Sequence, residues 1–183
     1  SMIYFDNAAT TAPLRSVCEA INNVNMNLYA NASALHTFGF EAEKIVTRAR
    51  KAMADFMKVR PENIIFTSGG TESNNIAVMG FLKANPRLGR HIITSAVEHP
   101  AVLEVFRNLA SEGYRVTILD TDDTGEIDYE QLEDEICEDT ALISIMNVNN
   151  EVGTIQDLEK VSHIRNRKNP KAAIHSDCVQ AFG

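Results

Sequence analysis

Four polar clusters in this sequence carry side chains that could do chemistry. The first, Ser68-Gly69-Gly70-Thr71-Glu72-Ser73-Asn74-Asn75, pairs two glycines with hydroxyls just ahead of the apolar segment from Ile76 to Leu82. Backbone N–H groups at such a helix start attract an anion, and with the Ser68, Thr71 and Ser73 hydroxyls alongside, the set suits a phosphate. It is neither a dinucleotide fingerprint nor a Walker loop, because a third spaced glycine and a Gly-Lys-Ser/Thr triplet are both missing. Taken by itself, the same stretch is also an ordinary glycine-rich turn in which Thr71 or Ser73 caps a helix. The second cluster, Glu98-His99-Pro100, offers a flat imidazole. The third, Asn147-Val148-Asn149-Asn150-Glu151-Val152-Gly153, offers amides, and the fourth, His175-Ser176-Asp177-Cys178-Val179-Gln180, offers a carboxylate with an amide after it. Together they fit a phosphorylated aromatic ring whose nitrogen must stay protonated. Opposite charges about 4 Å apart in a partly buried site interact by about 4 kcal/mol, most of which a neutral asparagine in place of Asp177 would forgo.

These clusters need elements to bring them together, and the hydrophobic pattern supplies them. Strands are expected at 64–67, 91–95, 115–119, 141–146 and 172–175, with helices at 71–83, 101–110, 128–137 and 157–167 between them. Asp128, with Gln131 three residues on, resembles a capping box that starts the third of these helices. Alternation of this kind means βαβ units, hence an α/β fold with a mainly parallel sheet and helices on both faces. In such a sheet ligands sit outside the carboxyl ends of the strands. All four clusters directly follow a strand, so their convergence at one rim points to a ligand site more strongly than any single motif does. Ahead of the sheet, Ile3-Tyr4-Phe5 reads as a short extended segment and Pro13 as part of a first helical turn. Leu14, Val17, Ile21, Val24 and Leu28 form one apolar face, and Ala42, Ile45, Val46, Ala49, Met53 and Phe56 another.

Composition limits the alternatives. With 183 residues, 44% of them hydrophobic, the chain can bury one substantial core. A net charge of −8 and the lack of a basic tract argue against nucleic acid and anionic membranes. No apolar run reaches the ~18 residues of a membrane span, and no signal peptide is visible at the start. Cys18, Cys137 and Cys178 are scattered, with neither disulfide nor metal spacing, so no metal is expected and a reducing cytoplasm is the expected setting. Cys18 and Cys137 fall on helical patterns and are expected to pack, with Cys178 a small core residue.

Pyridoxal phosphate is a ring of the kind described: an aspartate at its pyridine nitrogen keeps it an electron sink. Five segments carry a resemblance in the same order and spacing: Asp6-Asn7-Ala8-Ala9-Thr10-Thr11, the Ser68–Asn75 stretch, Val97-Glu98-His99-Pro100-Ala101-Val102, Val148-Asn149-Asn150-Glu151-Val152-Gly153-Thr154 and His175–Gln180. They resemble the cysteine desulfurases, the NifS-like group of class V aminotransferases with the fold-type-I architecture of pyridoxal-phosphate enzymes. The match runs from Met2 to Gly183. It implies an N-terminal segment and helix over 2–30 and a partial cofactor-binding large domain over 31–183. It further implies that Gly70 and Thr71 hold the cofactor phosphate and that His99 stacks on the pyridine face and takes part in proton transfer. Asp177 would bind the pyridine nitrogen, Gln180 the ring hydroxyl, and Asn150 the ring hydroxyl or the substrate. Asn149 reads as a turn residue. Asn31 and His36 match a family loop at the substrate entrance and dimer contact, although Ala32 and Ala34 stand where proline and serine are usual.

The resemblance also implies features that this sequence lacks. They are a Schiff-base lysine in a Ser-x-His-Lys segment past the Asp-x-x-Gln motif, a nucleophilic cysteine on a later loop, a substrate-carboxylate arginine and a small C-terminal domain. None of Lys44, Lys51, Lys58, Lys83, Lys160, Lys168 or Lys171 stands in that motif. The complete enzyme is expected to convert L-cysteine to L-alanine and pass persulfide sulfur to acceptor proteins of iron–sulfur or thiolation pathways. The chain alone is expected to be inactive and to hold the cofactor weakly at most. A selenocysteine lyase, another class V transferase, or a non-catalytic remnant that pairs with another chain are the alternatives. In the family's sheet two later strands lie beside 64–67. At about 4.8 Å per strand their absence leaves a gap of roughly 14 Å next to 172–175. Direct pairing of those two strands, completion by another chain, or a homodimer or swapped oligomer would close it.

Overall fold

A computed structural model describes residues 3–182, so Met2 and Gly183, the ends of the motif-bearing stretch, lie outside the described residues. The chain divides into two compact units, 1–66 and 67–183. That boundary falls inside the segment 31–183 assigned above to one partial domain.

In the first unit, helix α1 spans Arg15–Asn27 and α2 spans Thr37–Met57, followed by a 3₁₀ turn at Pro61–Asn63. Pro13 lies outside α1, whose N-cap is Leu14, because the chain is still extended there (ψ 144°). Helix α1 buries none of its residues, so Cys18 is exposed and not packed as its helical position suggested. His36 caps α2 by accepting the Gly39 N–H on Nδ1 at 3.1 Å. Gly39 is required there, since a Cβ would come within 2.2 Å of the Ala34 carbonyl oxygen. Asn31 makes a local turn, its Oδ1 accepting from the Ser33 N–H at 2.9 Å.

Residues 3–5 and 64–67 form no strand. Ile64 is extended (φ −93°, ψ 119°), but its carbonyl accepts from the Arg50 guanidinium, and it joins no ladder among the described residues. Extended backbone becomes a strand only when a neighbour takes its hydrogen bonds.

The second unit is the parallel α/β body. Strands β1 (His91–Ser95), β2 (Arg115–Leu119), β3 (Thr140–Ser144) and β4 (Ala173–His175) lie in the order β2-β1-β3-β4, every pair parallel. Central β1 and β3 are buried along their whole length, as expected for strands covered on both faces. Ile92 and Ile93, and likewise Leu142 and Ile143, face opposite sides and separate two cores. Ile93, Ile143 and Leu119 pack with Leu132, Val161 and Ile164, from helices α5 (Tyr129–Glu135) and α6 (Leu158–Lys168). Ile92, Ala141 and Leu142 pack with Val78, Leu82, Val102, Val105 and Phe106, from α3 (Gly70–Ala84) and α4 (Pro100–Ser111).

Strand β3 stops at Ser144, short of 146, where its β1 side gives way: Met146 N–H donates to the Glu98 carboxylate at 2.7 Å, while Ile145 and Asn147 N–H still follow the β4 side, donating to the His175 and Asp177 carbonyls at 3.1 and 3.0 Å. Helix α5 starts as expected, with Asp128 Oδ1 accepting from Glu130 and Gln131 N–H at 2.9 and 3.0 Å. The other half of the capping box is absent. Gln131 Oε1 instead accepts from Asp120 N–H at 2.7 Å, and Asp128 N–H donates to the Asp120 carbonyl. Asp128→Ala is expected to cost about 1 kcal/mol, the usual value of a side-chain N-cap, read as a shift in urea midpoint without change of slope.

Candidate cofactor site

The rim formed by the carboxyl ends of β1, β3 and β4 and the start of α3 encloses a cavity of about 200 Å³. All six residues singled out by sequence line it: Gly70, Thr71, His99, Asn150, Asp177 and Gln180. They come from four stretches of the chain, each one following an apolar run. The walls are completed by Asn74, Met146, Val148 and Val179.

The α3 side is a helix start. Helix α3 starts at Gly70 with Gly69 as its N-cap, so neither Thr71 nor Ser73 is the cap, and Gly69 brings no side chain to the first-turn N–H groups. Thr67 and Ser73 hydroxyls bond each other at 2.6 Å, while Glu72 accepts from both the N–H and the hydroxyl of Ser68, at 2.6 and 2.7 Å. Those two bonds hold the Glu72 carboxyl below its usual range. The turn is thereby stiffened by its own polar groups. A Cβ at Gly70 would stand 3.2 Å from Val179 Cγ2, so a side chain there would press on the opposite wall.

Across the cavity, Asp177 is 8% exposed and fixed at both oxygens. Oδ2 accepts from Asn74 Nδ2 at 2.9 Å and Oδ1 from Val179 N–H at 3.0 Å. Asn74 is buried on α3, so this bond ties the start of that helix to the end of β4. A buried carboxylate held this way is suited to a cationic or N–H partner. His99 is the N-cap of α4, and its Nδ1 accepts from Ala101 N–H at 3.1 Å. A neutral ring with Nδ1 as acceptor carries its proton on Nε2. Asn149 serves the loop, its Nδ2 donating to the Val97 carbonyl at 3.0 Å and its Oδ1 accepting from Glu151 and Val152 N–H. Asn150 is the member of the pair that lines the cavity.

Two carboxyl and imidazole groups behind the wall were not singled out by sequence as site residues. Glu98 is 4% exposed, and its Oε1 accepts from Ser95 Oγ (2.8 Å) and Met146 N–H (2.7 Å). Its Oε2 is buried without a hydrogen-bond partner among the described residues. Burial pushes its pKa up to about 7, opposed by the Met146 and Ser95 hydrogen bonds and assisted by the charge of Asp177. The folded chain thus keeps a proton that the unfolded chain sheds near 4.5, so this group lowers stability progressively as pH rises from there toward 7. His175, on β4, shares a 2.8 Å hydrogen bond between its Nδ1 and Ser144 Oγ, and burial pulls its pKa down against the charge of Asp177. The sequence did contain a signal for Glu98, its place inside a strand-end motif.

The donor set fits pyridoxal phosphate: hydroxyl and amide donors at a helix start for a phosphate, a flat imidazole, side-chain amides, and a buried carboxylate for a protonated ring nitrogen. Among the described residues no group of His, Cys, Asp and Glu is arranged to hold a metal ion, and no helix is long and apolar enough to cross a membrane.

Known proteins resemble this chain in sequence and in fold. A 44% identical relative over 182 residues is a NifS/IcsS protein homolog of Lactobacillus delbrueckii, matched over 100% of this chain and 47% of its own length. The cysteine desulfurase IscS of Photobacterium profundum is 44% identical over 184 residues, covering 99% of this chain and 45% of its own. Among solved structures, a NifS-like protein superposes with TM-score 0.91 at 39% identity over 96% of this chain and 48% of its own, and SspA in complex with cysteine with TM-score 0.89 at 36% identity over 98% and 51%. The chain spans about half the length of the curated relatives it matches. The family model described as aminotransferase class-V matches residues 3–183, and with it the parallel sheet, the rim cavity and these relatives find one explanation: the chain belongs to the class-V aminotransferase family.

Proposed function

We propose that the chain is the cofactor-binding part of a pyridoxal-phosphate-dependent cysteine desulfurase, which converts L-cysteine to L-alanine and passes the sulfur as a persulfide to acceptor proteins of iron–sulfur or thiolation pathways. The observation that supports this most is the meeting of Thr71, His99, Asn150, Asp177 and Gln180 around one cavity. The names of the relatives, cysteine desulfurases among them, agree with it. Bound pyridoxal phosphate would supply an electron sink for bonds at the α-carbon of an amino acid.

Each residue then has a task. The Gly70 and Thr71 N–H groups and the Thr71 hydroxyl bind the phosphate. Asp177, oriented by Asn74 and Val179, keeps the ring nitrogen protonated. Gln180 would bond the ring hydroxyl, and Asn150 the ring hydroxyl or the substrate. His99 would cover the ring face and, with Nδ1 engaged by Ala101 N–H, would take part through Nε2 in proton transfer during C–S cleavage. Three free cysteines suit a reducing compartment such as the cytoplasm, and a homodimer or swapped oligomer is the proposed working form.

No lysine is among the described residues lining the cavity. The 183-residue chain is therefore expected to bind pyridoxal phosphate reversibly, in competition with inorganic phosphate, and to release no alanine from L-cysteine. Equilibrium dialysis followed by amino-acid analysis measures both. Failure of saturable binding would overturn the cofactor assignment, and turnover would overturn the need for a lysine from elsewhere.

A further inference from the structure

The proposed cofactor contacts leave Glu98 unused, although it is the most deeply buried carboxyl beside the cavity. Its main chain adjoins His99, and its Oε1 is the acceptor that Met146 N–H turns to at the end of β3. The next residue, Asn147, donates its N–H to the Asp177 carbonyl at 3.0 Å. Consecutive amides of one loop therefore grip Glu98 on one side and Asp177 on the other. Ser95 on β1 supplies the second donor to Oε1, while Oε2 lies buried without a hydrogen-bond partner among the described residues.

We propose that Glu98 is a positioning residue of the pocket: its carboxyl fixes the turn that carries His99, and through Asp177 it sets how much negative charge the cavity offers a cationic ligand. The ligand half of this inference rests on the reading of the cavity as a pyridoxal-phosphate site.

The physical argument is one of shared charge. A buried carboxylate oxygen with no donor is costly to ionise, and a neighbouring carboxylate makes it costlier. The groups facing this pair are known from each packed element. Ser95 comes from β1 and the Met146 amide from the end of β3, and both are neutral. Asp177, after β4, is the charge acting on Glu98, and His175 on β4 feels Asp177 in turn. Asn74, from α3, is neutral and binds Asp177. With Glu98 protonated, the wall carries the single charge of Asp177. Once Glu98 ionises, it carries two, and a protonated ring nitrogen is held more tightly. By linkage, such a ligand draws the proton out of Glu98.

Two measurements on the full 183-residue chain test this. The first needs no ligand: the carboxyl carbon of Glu98, followed by NMR across pH, is expected to titrate near neutrality and to shift to lower pH in Asp177→Asn. An unmoved midpoint overturns the coupling. The second compares pyridoxal phosphate affinity of the wild type and Glu98→Gln from pH 6 to 8.5. Glutamine keeps the Oε1 acceptor, and the ratio at each pH cancels the ligand's own titration. The ratio is expected to be near one at pH 6 and to rise to about tenfold in favour of the wild type at pH 8.5, the order expected for a second unit charge several ångströms behind the first. A ratio that does not change with pH overturns the electrostatic role and leaves a purely structural one. If the wild type binds no pyridoxal phosphate at any pH, the cofactor reading and the ligand half of this proposal fall together, while the NMR titration still decides whether Glu98 and Asp177 are coupled.

Discussion

Asp177→Asn is expected to weaken pyridoxal phosphate binding by about a thousandfold while leaving the sheet intact. The figure follows from charge. Two opposite unit charges about 4 Å apart at an effective dielectric near 20 attract by about 4 kcal/mol, and each 1.4 kcal/mol is a factor of ten. Asparagine has nearly the same shape, so Oδ1 continues to accept from Val179 N–H, and a flip of the Asn74 amide restores the second hydrogen bond. Binding isotherms by dialysis, with a urea melt of the same variant, separate the two effects. A loss of less than tenfold with an unchanged melt would show that Asp177 does not face a cation.

Phe106→Ala is expected to be the most damaging single change to the sheet body, at about 3–5 kcal/mol. Phe106 is 1% exposed and packs, on α4, against the cluster of Ile92, Leu142, Val78 and Leu82. Truncation removes a ring whose place no neighbour can take, because the strands below are buried on both faces and cannot collapse inward. Phe106→Leu, which keeps most of the volume, is expected to cost about 1.5 kcal/mol or less. Urea midpoints at constant slope measure both. Equal losses in the two variants would mean that ring shape, not filled volume, is what the site selects.

Much of the sheet body was readable in advance because its signals are local. The short apolar runs Ile92-Ile93 and Ala141-Leu142-Ile143 suit strands buried on two faces, and the stripe Val102, Val105, Phe106 and Leu109 has the spacing of one face of a helix. The gathering of His99, Asn150, Asp177 and Gln180 was readable because parallel strands send their carboxyl ends to one rim; Gly70 and Thr71 join them from the start of α3, although the strand expected before them does not form. What escaped depends on partners distant in sequence. Residues 64–67 have a strand's composition but join no ladder among the described residues. Thr71 and Ser73 could cap α3 by type, yet the chain enters the helix through Gly69. Gln131 was free to complete its box, but Asp120 from the preceding strand end claimed it. The inward turn of Glu98 and the bond from Asn74 to Asp177 leave no periodic trace at all.

That last bond joins residues 103 positions apart, and it ties the glycine-rich start of α3 to the carboxylate after β4. At a synthesis rate of about 5–20 residues per second, the ribosome needs roughly 5–20 s to get from one to the other. During that interval the glycine-rich turn exists without the aspartate that completes the cavity. Pyridoxal phosphate, if bound as proposed, would meet Asp177 only after β4 has emerged, and so would join a turn that has already folded without it.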